Sequence, residues 1–185
     1  MNINWVLSDS VSIGPEIAVE QLKRLGSFWG SWRTWRSCGT DNVVCNDLTR
    51  ASELVKRNFQ SECNLYLPTN NYQTLGRPVG VRLYEGEFVH DVDHQEEIVA
   101  MHLVAGFSDI VLLFGFDLSE PAINTDKISE IRARNWRGLV RQAIVDNSHV
   151  QWVLVNHDKP VMKAMSDLEN LTVDTMSAVL ALNEE

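Results

Sequence analysis

Apolar residues along this chain fall into two kinds of run. Unbroken apolar runs occur at 5–7 and Ile110–Phe114; the run at 150–155 is interrupted only by Gln151, and shorter strand-like segments with one polar residue each lie near 42–45, 64–67 and 81–84. Runs of this length, rich in β-branched residues and lacking polar alternation, predict strands buried on both faces. Between them, apolar residues recur at helical spacing. Ile17, Val19, Leu22 and Leu25 follow Pro15 and stop at Gly26, and Leu48, Ala51, Leu54, Val55 and Phe59 make a second amphipathic set. Ile98, Val99, Leu103 and Val104, with Met101 alongside, form a third, closed by Gly106, and Ile128, Ile131, Leu139, Val140 and Ile144 a fourth, long one. A helical turn near 72–75, a short helix at 161–165, a last strand at 171–173 and a terminal helix through Leu182 complete the pattern. Strands alternating with helices predict βαβ units with right-handed crossovers. The expected fold is a Rossmann-like three-layer α/β sandwich. Its central sheet is mostly parallel, with about six or seven strands, and residues 1–185 form one domain.

The stretch 93–120 organises this picture. Its helix passes through Gly106 into the apolar run Ile110–Phe114, which ends at Gly115-Phe116-Asp117. Ligands of open parallel sheets bind beyond the carboxyl ends of the strands, so Asp117 stands where chemistry is expected. By the same reasoning Asp9 and Ser12 after the first strand, Asn46 after 42–45 and His157 after 150–155 are candidate site residues. The Gly/Ser loop before Pro15 suits an anion, although neither GxGxxG nor GKS/T is present.

Composition narrows the function classes. A formal charge of −9 argues against general binding to nucleic acid backbones, and no apolar run is long enough to span a bilayer. Three cysteines without a CxxC pair suit a reducing compartment, and a cytoplasmic location is expected.

Three constellations can carry chemistry. His90-Asp91-Val92-Asp93-His94 places two histidines among carboxylates, either as a divalent-metal set or as an ordinary acidic surface loop; in a nucleotide-binding enzyme Asp91, His94 or His157 would serve as base or metal ligand. The loop reading is preferred, and no metal is expected. Asn156-His157-Asp158 resembles a metallophosphoesterase motif, but Val11 replaces that family's histidine and no GDxxD follows, so His157 is read as a strand-end residue lining a pocket. Trp29, Trp32 and Trp35, interleaved with Arg33 and Arg36, suit a covered sheet edge or a surface for a protein partner or self-assembly.

Residues 105–117, in which a helix leads through glycine into Ile110-Val111-Leu112-Leu113-Phe114-Gly115-Phe116-Asp117, resemble the corresponding segment of bacterial sialyltransferases and related Rossmann-type glycosyltransferases. Val44-Cys45-Asn46 and Tyr66-Leu67-Pro68 are similar to two further strand exits of that family. The resemblance implies a site for the cytidine nucleotide of a sugar donor. The chain departs from the family at the GxGPS loop, replaced by Ser8 to Pro15, at the Ser-Gly opening the central helix, and at the catalytic histidine. These departures imply a nucleotide or sugar-nucleotide binding domain without the usual base, its cofactor unspecified. The alternative is a structural or assembly protein, such as a virion component, that retains the fold without catalysis.

Overall fold

A computed structural model describes residues 1–9, 19–85, 95–120 and 126–181. Its strands are β1 (Ile3–Leu7), β2 (Phe28–Ser31), β3 (Asn42–Val44), β4 (Asn64–Pro68), β5 (Arg82–Tyr84), β6 (Ile110–Phe114), β7 (Gln151–Val155) and β8 (Leu171–Asp174). Its helices are α1 (Val19–Leu25), α2 (Trp32–Cys38), α3 (Leu48–Lys56), α4 (Thr69–Thr74), α5 (Gln95–Ala105), α6 (Lys127–Asp146), α7 (Lys163–Ser166) and α8 (Met176–Ala181). The strands form one eight-stranded sheet in the order β5-β4-β3-β2-β1-β6-β7-β8, and every pairing is parallel. The Rossmann-like α/β architecture is as expected, with eight strands in place of six or seven. No helix among the described residues is long and apolar enough to cross a membrane.

Both faces of the central strands are buried, which explains their unalternating sequences. In β6, Val111 and Leu113 pack with α5 and α6 on one face, while Leu112 and Phe114 pack with α1 and α8 on the other. β7 divides the same way, Trp152 and Leu154 against Val153 and Val155. A third cluster, built on Val43, Cys45, Leu65 and Leu67, is closed by Ala51 and Leu54 of α3 and by Phe59. Gly26 is required by a close approach, since a Cβ there would stand 1.8 Å from the carbonyl oxygen of Ile3. The chain steps outward from β1 to β5, then returns through α5, which lies across β1, β2 and β3, to place β6 on the other side of β1. Right-handed crossovers then put the crossover helices of the two halves on opposite faces, while α8, which follows the last strand, packs beside α1.

Two expectations need correction. The 28–36 segment is not a surface strip: Phe28–Ser31 is an inner strand, and Trp29 is 4% exposed within the core. Trp32 and Trp35 are half-buried on α2, and the guanidinium groups of Arg50 and Arg36 lie 4.1 and 5.4 Å from the Trp32 ring centre. That ring therefore stacks on the protein's own cations. Trp35 meets Phe59 edge-on at 4.6 Å. With Trp29 in the core, the three tryptophans do not form one surface; Trp32 and Trp35 remain half-exposed on α2.

The second correction concerns α6. Val140 and Ile144 are buried as expected, but Ile128 and Ile131 are 65% and 58% exposed. The reason is length. A helix of 20 residues extends about 30 Å, whereas the 5-residue strands β6 and β7 span about 17 Å. The first turns of α6, capped by Asp126, overhang the carboxyl edge of the sheet.

Candidate functional site at the carboxyl edge

Because all strands are parallel, every strand exit lies on one edge. Asp9, Asn46, Asp117 and His157 are therefore brought to the same side of the molecule. Ser12, Asp91 and His94, with His90, lie outside the described residues. Among the described residues no three of His, Cys, Asp and Glu gather as a metal-ion set. The edge divides into two clusters astride the β1–β6 boundary, where the backbone N–H of Ser8 donates to the Phe114 carbonyl at 2.9 Å.

On the β1 side, Asp9 is a hub of the protein's own contacts. Its side chain is 7% exposed and lies 3.7 Å from Arg33 Nη1. Its Oδ1 accepts hydrogen bonds from Ser31 Oγ and, at 3.0 Å, from Thr34 Oγ1. The Asp9 backbone N–H donates to Glu97 Oε1 at 2.7 Å, which joins the β1 exit to the first turn of α5. Ser31 also caps α2 by accepting from the N–H groups of Arg33 and Thr34.

Asn46 is held from three directions. Its carbonyl accepts from Asn71 Nδ2 at 2.6 Å, its N–H donates to Glu96 Oε1 at 3.4 Å, and its side-chain oxygen accepts from the Tyr84 hydroxyl. Burial raises the Glu96 pKa and the Asp9 charge adds to it, while the Asn46 N–H and Arg33 oppose them. Burial likewise raises the Tyr84 pKa, so its hydroxyl remains a donor. The Cys45 thiol beneath is pushed up to about 12, chiefly by burial, and is an inert thiol rather than a nucleophile.

On the β6 side, Gly115 turns the chain with φ +82° and Asp117 follows, its side chain 53% exposed. Asp117 Oδ1 accepts from both the N–H and the hydroxyl of Ser119, and Oδ2 lies 3.4 Å from Lys159 Nζ. Burial acts to raise the Asp117 pKa, but the Ser119 hydrogen bonds and the Lys159 ammonium outweigh it and hold it at about 2. His157, after β7, has a side chain 6% exposed, with Nε2 3.7 Å from Asp117 Oδ1. Its Nδ1 is 2.7 Å from the Lys159 carbonyl, which can only accept, so Nδ1 carries a proton and donates it there. That Nε2 is buried and has no hydrogen-bond partner.

Several residues of this edge escaped the sequence reading. Ser119, Lys159, Ser31 and Thr34 carry no motif. Glu97 was legible in principle: it shares the stripe of Met101 and Val104 on α5 and is wholly buried. The chain matches no family model and no curated protein.

Proposed function

We propose that the chain is a nucleotide- or sugar-nucleotide-binding α/β domain, its ligand lying across the carboxyl edge where β1 and β6 adjoin. The observation that carries this reading is the reversal of strand order at that boundary, with Asp9 and Asp117 leaving the sheet on either side. Such switch points leave a crevice between diverging loops, the usual ligand position in open parallel sheets. Asp117 is ionised and half-exposed, which suits it to accept hydrogen bonds from sugar hydroxyls. Asn46, its side-chain oxygen engaged by Tyr84, keeps its amide N–H groups for an acceptor such as a pyrimidine carbonyl. The resemblance of residues 105–117 to sialyltransferases supports a sugar nucleotide in particular. His157 Nε2 supplies the candidate base of a transfer step; the departures at the glycine loop and the family's histidine position support binding without transfer.

One observation favours a second reading, a structural or assembly module that binds no ligand here. The Asp9 carboxylate is occupied by Ser31, Thr34 and Arg33 and is nearly inaccessible.

Calorimetry and thermal unfolding with cytidine, uridine and guanosine nucleotides and their sugar conjugates separate the two. A ligand at 100 times its dissociation constant stabilises the protein by about 2.7 kcal/mol. Asp117→Asn is expected to weaken binding about 10- to 150-fold, the effect of losing a charge-assisted hydrogen bond. Absence of any nucleotide binding at millimolar concentration would remove the ligand-binding reading and leave the structural one as the better account.

A further inference from the structure

Arg137 is 7% exposed and lies on the α6 stripe that continues through Val140 and Ile144 into the core. A buried guanidinium is ordinarily neutralised by a carboxylate, because an unpaired charge away from water is among the costliest features a fold can carry. Among the described residues no carboxylate pairs with it. Its Nη1 donates at 3.2 Å to the carbonyl of Ala133 on its own helix, and its Nε has no acceptor.

The adjacent residue repeats the pattern. The Trp136 indole N–H, which can only donate, is buried and has no acceptor. The Trp136 ring stacks on Phe116 at 5.6 Å with an interplanar angle of 26°. Phe116 immediately precedes Asp117, so this turn of α6 packs onto the β6 exit at the carboxyl edge. The Arg137 Nε–H and the Trp136 indole N–H are thus successive donors buried without acceptors, on the turn of α6 that packs against the β6 exit.

We propose that Arg137, assisted by the Trp136 N–H, receives a phosphate oxyanion at this edge. The planar guanidinium fork matches phosphate oxygens in pairs, and its charge is neutralised once the anion is seated. The identification of that phosphate with a nucleotide's rests on the function proposed above; the anion site itself does not.

The experiment measures binding of cytidine, cytidine 5′-monophosphate and inorganic phosphate to the wild-type chain and to Arg137→Met, Arg137→Lys and Trp136→Phe. The wild type is expected to bind the monophosphate about 10- to 100-fold more tightly than the nucleoside, and to be stabilised by inorganic phosphate. Arg137→Met should abolish both effects, Arg137→Lys should retain part of them, and Trp136→Phe should weaken both. Equal affinity for nucleoside and monophosphate, with no phosphate response, would overturn the Arg137 assignment and leave nucleoside binding intact. A phosphate response that depends on Arg137, without nucleotide binding, would support the anion site and remove the nucleotide reading. If neither phosphate nor the monophosphate binds the wild type, the anion site is wrong. The wild-type measurements decide this even if Arg137→Met does not fold.

Discussion

Asp9 and Asp117 show how two carboxylates in the same sequence context acquire opposite properties. Each leaves the carboxyl end of an inner parallel strand, yet Asp9 is enclosed by Ser31, Thr34 and Arg33, while Asp117 faces Ser119, Lys159 and water. The lowered pKa of Asp117, about 2 against an ordinary 3.8, makes its contribution pH-dependent with a definite sign. A carboxylate with a depressed folded-state pKa contributes stability above its unfolded pKa and loses it as pH falls through the folded value. The window is therefore about pH 4 down to pH 2. Screening at this half-exposed position limits the contribution to about 1 kcal/mol or less. Urea unfolding across that range should show Asp117→Asn losing this part of the acid dependence. An unchanged pH profile would mean that the Lys159 and Ser119 contacts do not hold in solution.

At the level of elements, burial rather than hydrophobicity decides which substitutions matter. Leu112 on β6 is fully buried between β1 and β7, so Leu112→Ala is expected to cost about 2–5 kcal/mol. Ile128 is as apolar, but it lies on the overhanging start of α6 and is 65% exposed. Ile128→Ser should change stability by about 0.5 kcal/mol at most. Denaturant titration of the two variants checks this contrast. A loss below about 1 kcal/mol for Leu112→Ala would be incompatible with β6 as an inner strand.

Across the whole molecule, the strand order makes β1 the strand on which both halves depend. β1 pairs with β2 on one side and β6 on the other, and β6 and β7 are paired on both edges. β5 and β8 end the sheet, and three of the four β8 residues are exposed. Native-state hydrogen exchange should find Val6, Leu113 and Leu154 amides opening only near global unfolding, and those of β8 exchanging through smaller openings. Equal protection of β8 and β6 would contradict this gradient. The same topology gathers the candidate site residues: with all strands parallel and the order reversing at β1, polar exits from both halves meet on one edge.

The apolar runs of β1, β6 and β7 and the helical periodicities of α3, α5 and the second half of α6 were legible in the sequence. A strand buried on both faces must be apolar at consecutive positions, and a helix on a sheet must be apolar every third or fourth. That the candidate site residues Asp117, Asn46, Asp9 and His157 share one edge followed from parallel topology, since each comes shortly after a strand. The rest was decided by partners distant in the chain. Phe28–Ser31 is an inner strand because β1 and β3 pair with its two edges and α5 crosses over it, although Trp29 and the tryptophans and arginines beyond it read as surface. Ile128 is exposed because α6 outruns the sheet, not because the periodicity fails. Which carboxylate is enclosed, and which cation is buried without a carboxylate among the described residues, depends on the side chains that neighbouring elements bring to Asp9, Asp117 and Arg137. Local residue order specifies that a group reaches the edge of the sheet; only packing specifies what it meets there.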